Sequence, residues 1–488
     1  MRRLSYIIVN LIMVLTVSSI TAFARPDWPT DTGVQSEAGI VMDMDSGAVL
    51  FAQNIHEQKI PASITKLLTA LVVIENCDNL DAKITFSHDA VYNVESGSGN
   101  KLALEEGDVL SVRECLYVML LQSSNQAANA LAEYIGGSRS GFVDMMNQKV
   151  ADLGCQESHF ANPSGLNDDT QRTSAYDMAL IARAAFQNQQ LLEISSTRKA
   201  SIPPTINNPD GRTFSMEHKL LITEDGSSEE YYPDAVAGKT GWTSQAGQTL
   251  VTYARRGDRG EIAVTLKSTQ KTHYSDTKTI LDFGFARFRN VNIADNETEY
   301  VTGNTPVTIG GETYQPSELY IDKAAVITIP NEAGFMDAEK ELVTELPKDH
   351  PEGAVAKLVY TYNERKIGEG WLFTTRAQSV DAVAPPSEGE VPAGTEPSGD
   401  GTGQDAPDSK LPASFKLPAP LLMAGIGVLC LAAAVAGACF WSFKRRKAEL
   451  ERQRQLREKR RQRLADIGFT EEDFERILEE RRQQRDMR

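Results

Sequence analysis

Residues 61–68 read PASITKLL, and they place Ser63 and Lys66 three positions apart where a proline gives way to a long apolar-periodic run. The stretch SITKLLTALVVIEN repeats apolar residues at helical spacing, so a helix beginning next to Pro61 is expected. At such a start the Ser63 backbone N–H and hydroxyl lie at the positive end of the helix dipole. The i, i+3 relation sets Lys66 on the same face, one turn along. A serine hydroxyl is a weak nucleophile until something removes its proton. A lysine whose ammonium is disfavoured by burial or by neighbouring cations can be that base. The spacing alone proves little, because S-x-x-K recurs at Ser98/Lys101, Ser196/Lys199, Ser268/Lys271 and Ser275/Lys278. What separates Ser63 is its context, a proline followed by an apolar helix.

Upstream of this stretch, EAGIVMDMDSGAVLFAQN reads as a hairpin of two apolar strands around Asp45-Ser46-Gly47. Downstream, SVRECLYVMLLQ, NQAANALAEYIG, SGFVDMMNQKVADLG and SAYDMALIARAAFQN carry helical periodicity. QTLVTYARRGDRGEIAVTLKS then gives two strands around a Gly-containing turn. Strands at both sequence ends with helices between them point to an α+β domain closed by its terminal strands, over residues 25–290. From 291 to 375 short strand-like runs such as AAVITIP and GAVAKLVYTYN are parted by Gly, Asn and Pro, the pattern of a small all-β sandwich.

The ends of the chain read differently. Residues 1–24 have two arginines, an apolar core and Ala22-Phe23-Ala24, the features of a cleaved secretory signal. Residues 376–418 are rich in Pro, Gly, Ser and acid and read as a disordered linker. A transmembrane helix is expected over 419–443, where LLMAGIGVLCLAAAVAGACFWSF runs uncharged from 421. KRRK follows at once, which sets the basic tail, 444–488, in the cytoplasm and everything before the span outside.

The whole chain of 488 residues has a net charge of −17, but its tail holds 16 basic and 11 acidic residues, so the exported body is more acidic still. Such a surface repels phosphates, and nucleic acid is excluded as a partner. Five cysteines are too few for a disulfide framework. Cys430 and Cys439 fall in the expected span, and Cys77, Cys115 and Cys155 read as small buried hydrophobes.

The chemistry narrows by elimination and then by pattern. There is no G-x-S-x-G elbow for a Ser-His-Asp site and no H-E-x-x-H or C-x-x-C, so no metal or other cofactor is implied. LQSSNQAANALAE offers Ser123-Ser124-Asn125 between two helices, and VAGKTGWTSQAGQTLV offers Lys239-Thr240-Gly241 on a strand. The order S-x-x-K, S-x-N, K-T-G is the signature of penicillin-binding proteins and class A β-lactamases. Ser98-Gly99-Asn100 is a rival S-x-N, but it sits in a glycine-rich loop rather than between helices.

With the connecting segments FANPSGLNDDTQRTSAYDMALIAR and NKLALEEGDVLSV, the chain resembles the low-molecular-mass D-alanyl-D-alanine carboxypeptidases, serine peptidase family S11. The resemblance implies a penicillin-binding-protein/β-lactamase-like transpeptidase fold followed by the β-domain and an anchor. It implies a peptidoglycan stem peptide as substrate and β-lactams as covalent inhibitors. It makes Ser63 the acyl-ester nucleophile, Lys66 the general base, Ser123 a proton relay and Asn125 an orienting group. Lys239 and Thr240 would bind the substrate carboxylate, Gly241 would let the substrate backbone approach the strand, and the N–H groups of Ser63 and Trp242 would form the oxyanion hole. Three departures stand out: Glu217 and His218 in SMEHKLLI, Ser164 in NPSGLN, and an anchor that spans the membrane. A DD-endopeptidase would use the same residues, a class A β-lactamase would need a water-activating glutamate that is not evident, and an inactive wall-binding module would have no need of all three motifs.

Overall fold

The structure is a computed structural model and describes residues 25–94, 98–222, 228–347 and 350–376. The expected signal, linker from 377 on, span and tail lie outside these residues. Among the described residues no helix is long and apolar enough to cross a membrane.

The α+β region is built on one five-stranded antiparallel sheet. Its strands are β1 (Ala38–Asp43), β2 (Val49–Gln53), β3 (Ala235–Thr243), β4 (Gly247–Arg256) and β5 (Arg259–Ser268), in the order β2-β1-β5-β4-β3. The expected hairpin at 45–47 and the pair around Gly257 are both present. β1 pairs with β5 from Ala38↔Leu266 to Asp43↔Glu261, which closes the sheet with strands from the two ends of the region. In β5 consecutive residues Ile262, Ala263, Val264, Thr265 and Leu266 are all fully buried, so both sheet faces are covered.

The longer helices between β2 and β3 are α1 (Lys66–Glu75), α2 (Val112–Gln122), α3 (Asn125–Gly136), α4 (Arg139–Asp152), α5 (Ala175–Gln187) and α6 (Gln189–Ser196); α7 (His273–Arg287) follows β5. α5 and α7 pack on the sheet. α1 has no side-chain cap, and it is held by packing, with every residue but Glu75 buried. α2 begins with a capping box of Ser111 and Glu114, and Ser124 caps α3 by accepting from Ala127 N. The Ser124 cap fixes where α3 starts, and Ser123, the left-handed residue that ends α2, is held between the two helices.

Residues 288–374 form the second sheet, with strands β6 (Phe288–Asn292), β9 (Leu319–Ile321), β10 (Val326–Pro330), β11 (Glu339–Val343), β12 (Ala354–Tyr362) and β13 (Arg365–Thr374). β7 (Val307–Ile309) and β8 (Glu312–Tyr314) make a separate hairpin. The sandwich expected here is therefore one six-stranded antiparallel sheet plus a two-stranded hairpin. The reason is the length of β13, which pairs with β12 along one edge and with both β10 and β9 along the other, joining what would be two layers. The N-terminal segment fastens to this sheet: Trp28 packs on Phe288 and Tyr362, and the Tyr362 hydroxyl donates to Pro26 O at 2.6 Å.

The cysteine reading needs correction. Cys115 is buried in α2, whereas Cys77 and Cys155 are only partly buried, because each lies at a helix-terminal loop rather than on an inward face; all three are free thiols.

Candidate active site

Ser63 lies in a single 3-10 turn, Ala62–Thr65, that runs directly into α1, so Lys66 is the first α-helical residue. The turn starts from Ala62 at φ 52°, an unusual conformation for alanine. It is held from outside by Gly165, where a Cβ would come within 1.9 Å of Ala62 O. Only glycine fits at 165, and NPSGLN thereby clamps the turn that carries the hydroxyl.

Lys66 is fully buried. Its Nζ lies 3.0 Å from Ser63 Oγ, 2.8 Å from Asn125 Oδ1, and in hydrogen-bond contact with Ser164 O. Burial pushes its pKa well below the ordinary lysine value, and the positive charges of Lys239 and Lys101 push it further; the Glu217 carboxylate opposes them. A neutral amine has two N–H donors and one lone pair. Asn125 Oδ1 and Ser164 O take the two donors, which leaves the lone pair for the Ser63 proton.

Ser123 sits between α2 and α3 at φ 59°, a left-handed residue that turns its hydroxyl into the cleft. Lys239 Nζ donates to Ser123 Oγ at 3.1 Å and to Thr240 O at 2.9 Å. Burial lowers the Lys239 pKa to about 8 against the pull of Glu217. Two lysines thus meet two serines, each lysine within hydrogen-bond reach of one hydroxyl.

Lys239, Thr240, Gly241 and Trp242 lie on β3, which is an edge strand of the sheet. An edge leaves backbone N–H and C=O groups for an extended peptide to pair with. β3 crosses directly over the Ser63 turn: a Cβ on Gly241 would fall 2.4 Å from Thr249 Oγ1 and 2.9 Å from Ser63 N. Thr249 Oγ1 in turn donates to Pro61 O at 2.8 Å and ties β4 to the start of the turn. Trp242 is 63% exposed at the rim, an unusual position for a large aromatic ring. Thr240, Gly241 and Trp242 line a cleft of about 580 Å³ together with Ser63, Ser123 and Asn125.

The family model described as D-alanyl-D-alanine carboxypeptidase matches residues 25–270. The chain belongs to that family. It is 31% identical over 291 residues to D-alanyl-D-alanine carboxypeptidase DacF of Bacillus subtilis, covering 59% of this chain and 72% of that one. It is 33% identical over 267 residues to DacB2 of Mycobacterium tuberculosis, 54% of this chain and 84% of the other. Penicillin binding protein 6B of Escherichia coli shares the fold with a TM-score of 0.53 at 26% identity, over 72% of this chain and 98% of that protein. Residues 25–270 would not fill that share, so the likeness takes in the C-terminal sheet as well.

This carboxypeptidase-family site also holds residues that the motifs did not reveal. The Ser164 carbonyl on Lys66 is a backbone group, invisible to any pattern of side chains. Lys101 and Glu217 pair across the cleft although 116 positions apart. The rival Ser98 lines the same cleft with a hydroxyl that lacks a hydrogen-bond partner, but it is Ser123 and Asn125 that meet the two lysines. His218 is buried beneath Gly238, where its Nε2 reaches Thr252 Oγ1 at 3.0 Å, and burial lowers its pKa to about 3. It is a packed neutral ring, not a site histidine. Ser196, Ser268 and Ser275 bond to Glu193 O, Ser36 and Thr272, and Thr272 O, away from the lysines of their motifs.

Proposed function

We propose that the chain is a serine-type D-Ala-D-Ala carboxypeptidase that removes the terminal D-Ala from peptidoglycan stem pentapeptides through an acyl-enzyme on Ser63. One observation carries the reading: a fully buried lysine whose amine has Ser63 Oγ, Asn125 Oδ1 and Ser164 O around it. Lys66 takes the Ser63 proton as Oγ attacks the carbonyl carbon of the penultimate D-Ala. The N–H groups of Ser63 and Trp242 hold the developing oxyanion, each such donor supplying about 3–4 kcal/mol. The terminal D-Ala amine leaves with a proton relayed through Ser123, and water then hydrolyses the ester. Thr240 and Lys239 meet the terminal carboxylate, and the acyl chain lies along β3. A β-lactam enters the same way and forms a long-lived ester on Ser63.

The test uses the full-length chain, wild type beside Ser63→Ala, with an acylated tripeptide ending in D-Ala-D-Ala. Release of free D-Ala by wild type alone establishes activity and nucleophile together. A folded wild type that releases none, yet cleaves cross-linked muropeptide dimers, would replace this reading with the endopeptidase.

The same proposal sets the catalytic region outside the cell membrane, with residues 1–24 removed as a signal and residues 419–443 as a single span before a cytoplasmic tail. Its support is the uncharged run from 421 and the KRRK that follows. Ending the chain at 418 should release the enzyme from membranes; retention of the truncated chain there would refute the span as anchor.

A further inference from the structure

Among the described residues, the charged side chains that line the cleft are Lys101 and Glu217, with Lys101 Nζ donating to Glu217 Oε1. Neither is buried: their side chains are 54% and 33% exposed. The pair is close enough to act on both buried lysines. The Lys101 charge lowers the pKa of Lys66 and of Lys239, and Glu217 raises both. For Lys239 the Glu217 carboxylate is the larger of the two influences, and for Lys66 the Lys101 ammonium is. The pair lines the same cleft as Ser123 and Thr240, where the leaving D-Ala would put its carboxylate.

Lys239 is poorly equipped to bind that carboxylate alone. It is buried, two of its N–H groups are committed to Ser123 Oγ and Thr240 O, and its charge is weakened by desolvation. Lys101 is not buried, and its ammonium is open to the cleft. It donates to the Glu217 carboxylate, chemically the same group as the substrate's C-terminus.

We propose that Lys101 is a binding residue for the terminal carboxylate of the substrate and that Glu217 is its positioning residue. Glu217 holds the ammonium at the cleft in the empty enzyme and gives it up when the substrate carboxylate takes its place. One carboxylate is exchanged for another, so the cleft never exposes an unpaired cation, and a substrate without a C-terminal carboxylate gains nothing from Lys101. This inference rests on the carboxypeptidase reading.

The experiment compares two probes on the full-length chain: the acylated tripeptide ending in D-Ala-D-Ala, and the same acyl-D-Ala as its methyl ester, whose leaving group has no carboxylate. Lys101→Met should lower the ratio of kcat/KM for peptide over ester by ~10-fold, chiefly through the KM for the peptide, as expected for loss of one charge-assisted hydrogen bond. Lys101→Arg should restore most of that ratio. Glu217→Gln, which removes the competing anion, should raise it about threefold. An equal fall on both probes in Lys101→Met would mean that Lys101 acts only through the field at Lys66, and an unchanged ratio would mean that it does not touch the substrate; either overturns the inference while leaving the carboxypeptidase reading intact. A folded wild type that hydrolyses the ester but releases no D-Ala would sink the reading itself, and this inference with it.

Discussion

The catalytic sheet buries charge at two places, and they are opposite in sign. At the cleft, Lys66 and Lys239 share no buried carboxylate, and burial pushes both toward the neutral amine. At the far end of β1 and β5, Asp43 and Glu261 share the single guanidinium of Arg259. Burial pushes both carboxyls upward while Arg259 pulls them down, and Asp43 Oδ2 and Glu261 Oε2 each lack a hydrogen bond. The acidic cluster is sealed: Ser46, bonded to Asp43, meets Thr328 Oγ1 of the second sheet at 2.6 Å, and Thr328 donates to Asn290. Perturbed ionisation is common to both places. Only the lysines have a nucleophile in reach and a cleft opening onto it, and that makes theirs the reactive one. The acids instead join the two sheets.

The comparison can be broken first at Lys66. Lys66→Met should lower the rate of D-Ala release by roughly 10⁴-fold, the upper end of what general acid–base catalysis typically contributes. A loss below tenfold would reassign the base. Gly241→Ala should cost about 100-fold, because the added methyl meets Thr249 Oγ1 and Ser63 N and displaces β3 from the oxyanion position; unchanged acylation by penicillin in this variant would refute that placement.

The pH profile separates the two lysines. Activity should fall on the acid side as Lys66 gains a proton. It should also fall above pH about 8 as Lys239 loses its charge, the second limb appearing in KM for the carboxylate substrate. Lys239→Arg should move the second limb to higher pH and leave the first in place.

The smallest effect on activity, and the sharpest contrast, belongs to Glu261. Its folded pKa lies well above 4.5, so the folded chain keeps a proton that the unfolded chain has released. Its contribution to stability is complete below about pH 4.5 and is lost as pH rises toward the folded value. Lys66 has the reverse sign: its folded pKa lies well below 10.5, so stability rises with pH until the unfolded lysine also loses its proton. Thermal unfolding of Glu261→Gln and Lys66→Met from roughly pH 5 to 9 should remove slopes of opposite sign. Glu261→Gln should keep D-Ala release within about twofold, as fits a substitution remote from the cleft; parallel slopes would erase the distinction between the two clusters.

Legibility followed distance along the chain. Ser63 and Lys66 could be read because helical geometry alone brings residues three apart together, and Asn125 because it opens a helix beside Ser123. Lys239 gained its meaning from the order of the three motifs rather than from its strand. The Lys101–Glu217 pair and the Ser164 carbonyl could not be read, since each depends on loops that meet only in the folded chain. Asp43 and Glu261 were equally hidden. Charged residues among apolar strands suggest a solvated face, and only the helices on both sides of the sheet and the Ser46–Thr328 contact show them enclosed. The β-domain's strands were evident from composition, but their joining into one sheet depends on β13 reaching two partners.

The pairing of β1 with β5 governs when the enzyme can come into being. Residues 38–43 find their partners at 261–266, and the Ser63 turn lies against β3, whose own place depends on β4 and β5. Helices α1 to α6 can form from local contacts early, but the nucleophile meets its oxyanion position only after this long loop closes. A growing chain is therefore inert until nearly 270 residues have been made, and reactivity arrives as one of the last events of folding.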